Sequence, residues 1–144
     1  MTLVLNFIRK YALHLALIQA LAATLGSLYF SEIKHFTPCT LCWYQRILMY
    51  PLIIIFTVAI LRRDKNIAYY ALPMSILGAI VALYHYLLQM TSLADAVPVA
   101  CSAYGPCREV QALFLGFITI PFLSLTAFTV ITLLMLVILK TKKK

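Results

Sequence analysis

Charged residues interrupt this chain at long intervals, and what lies between them is apolar. Residues 11–31 form an uncharged stretch of about 21, close to the ~20 that a helix needs to cross the hydrocarbon of a bilayer. About 29 uncharged residues separate Lys65 from Asp95, and about 30 separate Glu109 from Lys140. Each of those intervals holds one tilted helix with some loop, not two. The pattern predicts four spans, at about 11–30, 41–61, 67–88 and 113–139, joined on one side by loops 31–40 and 89–112. The expected fold class is all-α, an integral membrane four-helix bundle in which residues 1–144 make a single domain.

The second span is the anomalous one. From Ile47 to Leu61 there are about 15 uncharged residues, which at ~1.5 Å each reach only ~22 Å of a ~30 Å core. The helix must begin upstream, near Leu41, and carry Arg46 inside its outer end. An arginine at that depth is costly and marks a functional site by default; snorkelling to the headgroups is the bland alternative. Pro51, Pro73 and Pro121 fall within spans two, three and four, where kinks satisfied by neighbouring helices account for them. His14 and Gln19 in span one are expected to bond across helices.

Composition sharpens the picture. Of the 144 residues, 64% are apolar and 11% charged, with a mean hydropathy of +0.97. That is too few charges to cover a soluble domain and far too hydrophobic for a disordered chain. The net charge of +8 does not mark nucleic acid, because the basic residues sit in short clusters that terminate apolar runs. With four spans, Arg9, Lys10, Arg62, Arg63, Lys65, Lys140, Lys142, Lys143 and Lys144 share one face. The positive-inside rule makes that face, and both termini, cytoplasmic. Trp43, Tyr44, Tyr50, Tyr69 and Tyr70 lie near span ends, as an aromatic belt would.

The four cysteines come in two pairs, Cys39 with Cys42 and Cys101 with Cys107. Loops one and three of a four-span bundle must share a face, so both pairs do; the charge rule then makes it the extracytoplasmic face, where disulfides persist. Two structural disulfides, four zinc-binding thiolates or four inert thiols are the readings that compete with redox chemistry. The first pair favours reactivity. Pro38 starts a helix, which puts Cys42 in its first turn, at the positive end of the helix dipole. Arg46 follows one turn later on the same face. A thiolate beside that guanidinium explains both the ion at depth and the charge that stabilises it. A loop of about 24 residues, 89–112, carries the second pair around the Gly105-Pro106 turn, so a mobile dithiol can alternate between a soluble partner and the membrane edge.

At these residues the chain resembles a known family. Cys39-Thr40-Leu41-Cys42-Trp43-Tyr44-Gln45-Arg46 is similar to the C-x-x-C-x-Y-x-R signature of the DsbB family, quinone-linked disulfide-forming membrane proteins. Cys107-Arg108-Glu109-Val110-Gln111, then Phe114-Leu115-Gly116 and Pro121, resembles that family's passage from the last loop cysteine into the fourth helix. The short gap between Cys101 and Cys107 is closer to the BdbC branch than to the proteobacterial proteins. Vitamin K epoxide reductases share the four-helix idea but place their CxxC after the loop pair.

The resemblance implies a protein-disulfide oxidoreductase of the bacterial cell membrane with quinone, menaquinone or ubiquinone, as electron acceptor. It implies a DsbA-like thioredoxin-fold partner that meets Cys101, a Cys107 that pairs transiently with Cys39, a Cys42 thiolate that meets the quinone ring, and an Arg46 that polarises a quinone oxygen. A family histidine beyond the third helix corresponds to His85, for which a satisfied bundle-core histidine is the alternative. A lipid-facing cleft is expected near Cys42 and Arg46, walled by helices one and four. A tetraspan protein with two structural disulfides and a reductase running electrons outward are the competing functions.

Overall fold

The structure, a computed structural model, describes residues 2–64, 66–91, 113–114 and 118–142. Four long helices dominate it: α1 (Thr2–Leu28), α2 (Thr40–Arg62), α3 (Ile67–Met90) and α4 (Ile120–Lys142). All four are long and apolar enough to cross a membrane. The protein is therefore all-α in architecture and reads as a multi-pass membrane protein. Each helix packs on two neighbours, α1 on α2 and α4, α3 on α2 and α4, while α2 and α4 meet only in passing.

Small residues set how closely the helices approach. Ala12, Ala16 and Ala20 repeat every four residues on α1 and are fully buried, so they let neighbouring backbones come near where lipid supplies no hydrophobic drive. On α3 the buried positions Ser75, Gly78, Ala82 and His85 step by three and four along one face. The ring of Phe128 on α4 lies against Gly78 so closely that any Cβ there would overlap it. One turn away, Thr132 donates its hydroxyl to Ser75 Oγ at 2.9 Å, which satisfies a polar pair between α3 and α4.

Helix ends follow local chemistry. At the α2–α3 turn Arg63 adopts φ 51, a left-handed cap that closes α2, and Asp64 then accepts from the Asn66 backbone N–H at 2.7 Å and from the Tyr70 hydroxyl. At the α1–α2 turn α1 widens into a π-helical turn, Tyr29–Ile33, followed by His35 at φ 54. The Phe36 N–H returns to the Phe30 carbonyl at 3.0 Å, and the two rings stack with centroids 6.1 Å apart. This fold-back delivers Pro38 and Cys39 to the start of α2.

Three expectations change. The fourth helix does not begin at 113: Leu113–Phe114 and Ile118–Thr119 pair as two short antiparallel strands, and the helix starts at Ile120. Pro121 thus lies in the first helical turn, where its missing N–H costs nothing, rather than in the interior as a kink. Pro51 and Pro73 do lie inside α2 and α3. His14 is exposed, and its ring meets Tyr11 on its own helix, edge-on at 6.2 Å, rather than a partner on another helix among the described residues. The reason is rotational: the alanine stripe takes the inward face of α1 and turns His14 away.

Candidate functional site

Cys39 is the N-cap of α2, with extended backbone at φ −73, ψ 173, and its carbonyl accepts from the Trp43 N–H at 3.1 Å. That geometry places Cys42 in the first turn, as the Pro38 start signal implies, with the two sulfurs 3.2 Å apart. Cys39 is buried and Cys42 half-buried, and both are free thiols. Leu41 and Leu88 seal the apolar side of the pair.

A histidine completes the cluster. His85, 1% exposed, projects from the C-terminal part of α3 and sets Nε2 3.6 Å from Cys39 Sγ. Its other ring nitrogen, Nδ1, lies 3.1 Å from the side-chain amide nitrogen of Gln45, itself buried. Gln45 and His85 thus satisfy each other in a site where an unpaired polar group would cost about 1–3 kcal/mol. The Cys39 thiol is drawn well below its ordinary range, to about 4. Hydrogen bonding with the Cys42 sulfur is the chief cause, His85 adds to it, and burial works against both. The contacts that favour a sulfur anion in the fully reduced pair therefore fall on Cys39.

Arg46 faces the opposite way, toward α1. Its Nε–H donates to Ser27 Oγ at 2.9 Å and a terminal N–H to the Ser27 carbonyl at 3.1 Å. Its guanidinium also lies over the Trp43 ring, 5.4 Å from the centroid. Of the five guanidinium N–H donors, two are used by Ser27, so others remain for an oxygen acceptor nearby.

Beside these groups lies a cavity of about 280 Å³. Cys42, Arg46 and Tyr50, spaced one turn apart on α2, line one wall. Ala23 and Gly26 of α1 and Leu123 and Ala127 of α4 supply apolar walls, with Phe30 and Phe36 at the α1–α2 turn. The Tyr50 hydroxyl is buried with no hydrogen-bond partner among the described residues. Tyr50 thus differs from Trp43, Tyr44, Tyr69 and Tyr70, which are exposed as belt residues should be.

The structure brings together Cys39, Cys42 and His85 in one cluster and Cys42 and Arg46 along one cavity wall. Cys101 and Cys107 lie outside the described residues. Gln45, Ser27 and Tyr50 were not singled out as site residues by sequence. Gln45 and Arg46, three and four positions after Cys42, carry a helical-spacing signal that could have found Gln45. Ser27 carries none.

Similarity to known proteins runs through the same residues. The family described as Disulfide bond formation protein DsbB matches residues 9–138. A probable disulfide formation protein C of Halalkalibacterium halodurans is 51% identical over 124 residues, which cover 85% of this chain and 89% of that protein. The disulfide bond formation protein C of Bacillus subtilis is 47% identical over 123 residues, 85% of this chain and 88% of its own length. A probable disulfide formation protein C 1 of Bacillus anthracis is 44% identical over 134 residues, 93% and 96% of the two chains. No solved structure gives a significant match.

Proposed function

The chain belongs to the DsbB family, disulfide oxidoreductases of the membrane, and from that premise we propose a membrane thiol oxidase that reoxidises an extracytoplasmic DsbA-like thioredoxin-fold partner and delivers the electrons to a membrane quinone. The observation that carries this reading is the shared wall: a redox-competent sulfur, Cys42, and a guanidinium, Arg46, line the same apolar cavity. A cavity of about 150 Å³ accepts benzene, so about 280 Å³ suits a substituted aromatic ring. The lining fits such a ring: apolar for the most part, with the Arg46 donors and the Tyr50 hydroxyl, unpartnered among the described residues, as well as Gln19, Gln45 and three serines supplying polar groups.

The thiol chemistry belongs to the chain's own residues. A partner thiolate attacks a Cys101–Cys107 disulfide, and the partner's second thiolate releases the mixed disulfide; the partner gains one S–S bond and the loop gains two thiols. The same exchange between the loop dithiol and a Cys39–Cys42 disulfide restores the loop and leaves Cys39 and Cys42 reduced. One electron pair moves and one S–S bond breaks for each that forms. His85 stands where it can hold the proton that leaves Cys39. Arg46, anchored by Ser27, holds donors in the cavity wall. When bound, a quinone, menaquinone or ubiquinone, supplies the terminal two-electron acceptor that drives the sequence. The basic residues at the α2–α3 turn support a cytoplasmic turn with both cysteine pairs on the opposite face.

The test is quinol formation. Proteoliposomes containing the protein and quinone should produce quinol when a reduced thioredoxin-fold protein is added, and Cys42→Ser should abolish it. Quinol production that survives Cys42→Ser overturns the reading. A tetraspan protein with two structural disulfides would produce none, and a reductase would consume quinol instead.

A further inference from the structure

Thiol exchange uses the two sulfurs of the Cys39–Cys42 pair, yet a third soft donor completes their cluster. The Cys39 sulfur, the Cys42 sulfur and a ring nitrogen of His85 all lie within 4.8 Å of one another. Tetrahedral zinc binds thiolate sulfur at about 2.3 Å and imidazole nitrogen at about 2.0–2.1 Å, which sets sulfur–sulfur near ~3.8 Å and sulfur–nitrogen near ~3.6 Å. The Cys39–His85 separation, 3.6 Å, already meets that requirement. The sulfurs, 3.2 Å apart, need to open by roughly half an ångström. The Cys42 sulfur, half-buried and within 4.8 Å of a His85 ring nitrogen, is the donor that would have to move.

The surroundings suit a metal-bound imidazole. A ligating histidine gives its other N–H to an oxygen, which fixes the ring and raises its basicity. Gln45 stands 3.1 Å from Nδ1, and a half-turn of its amide presents Oε1 there in the same volume. That single change leaves the Nε2 lone pair facing Cys39. The donor set, two thiolates and one imidazole, is that of a soft or borderline cation and not of calcium or magnesium.

We propose that the reduced protein binds one zinc ion through Cys39 Sγ, Cys42 Sγ and His85 Nε2, with Gln45 as the positioning residue and a fourth coordination position open. This rests on the reading of Cys39–Cys42 as a pair that cycles through the dithiol. Binding forms two S–Zn bonds and one N–Zn bond, displaces whatever protons the two sulfurs and the His85 Nε2 carry, and moves no electron. A zinc-loaded pair cannot form its disulfide, so zinc acts as a brake that selects the reduced state.

The experiment uses the full chain in detergent with Cys101 and Cys107 replaced by serine, reduced, and titrated with Co²⁺ as a spectroscopic stand-in before competition with Zn²⁺. The expected result is one equivalent of Co²⁺ with thiolate charge-transfer bands and the strong visible bands of a tetrahedral ion, displaced by Zn²⁺. The same protein oxidised to the Cys39–Cys42 disulfide should lose both. His85→Ala should weaken binding at least tenfold, and Gln45→Ala by ~10–100-fold, with Gln45→Glu restoring it. Absent charge-transfer bands, unchanged affinity in His85→Ala, or equal binding by the oxidised protein overturns the proposal. The unsubstituted chain run in the quinol assay separates the two ideas: quinol formation without metal binding removes the zinc site alone, and its absence removes the redox reading.

Discussion

Arg46 holds Ser27 by two hydrogen bonds, at 2.9 Å to the hydroxyl and 3.1 Å to the carbonyl, so the guanidinium of α2 is fastened to the backbone of α1. Hydrogen bonds to a charged group contribute about 1.5–3 kcal/mol, which offsets part of the cost of placing the ion within a span. The anchor also explains why the side chain lines the cavity instead of extending to the headgroups. Arg46→Ala is expected to lower quinol formation by ~10²–10³-fold, the usual effect of removing a donor aimed at developing negative charge. Ser27→Ala, which keeps the carbonyl contact, should have a smaller effect in the same assay. Equal rates for Arg46→Ala and the unsubstituted protein would remove Arg46 from the reaction.

Gly26 lines the cavity, and a Cβ built on it meets nothing within 4 Å. Gly26→Leu should therefore fill the cavity without straining α1, and replacing a helical glycine adds up to ~1 kcal/mol of helix propensity. The expected outcome separates two half-reactions: thiol exchange with the partner persists, while quinol formation and binding of a quinone analogue fall at least tenfold. Retained analogue binding in Gly26→Leu would show that the occupant sits elsewhere.

Gly78 behaves oppositely. A Cβ at this position would overlap the aromatic ring of Phe128, which is fully buried and cannot swing aside. Overpacking of this kind costs about 1–3 kcal/mol, more than the ~1 kcal/mol that alanine gains over glycine in a helix. Gly78→Ala should lower the unfolding midpoint in detergent, and Phe128→Leu in the same chain should recover part of the loss. A higher midpoint for Gly78→Ala alone would contradict the packing of α3 on α4.

The order of thiol exchange has its own test. Cys107→Ser leaves Cys101 as a lone thiol that attacks the disulfide of the oxidised partner, and with no Cys107 thiol to release the mixed disulfide on the loop side, an adduct through Cys101 should accumulate on non-reducing gels. Peptide mapping that located the partner on Cys39 would reverse the order of the two pairs.

Much of this protein is written in features that act over a few residues. Four helices able to cross a bilayer follow from run length and the spacing of charges. The CxxC at the start of α2, with Arg46 one turn beyond Cys42, follows from Pro38 and the helical repeat. Fold class, cysteine motif and cavity-wall arginine were therefore legible before any coordinates. The start of α4 was not, because residues 113–119 are as apolar as the helix that follows and only chain pairing distinguishes them. Nor were the polar partnerships: Gln45 with His85, His85 with Cys39, and Arg46 with Ser27 join residues 19 to 46 positions apart. In a membrane chain both the lipid face and the core face of a helix are apolar, so no periodicity records how each helix is rotated about its axis. That rotation, fixed by Ala12, Ala16 and Ala20 on α1 and by Gly78 against Phe128, is what the tertiary structure alone decided, and it determines which polar groups meet.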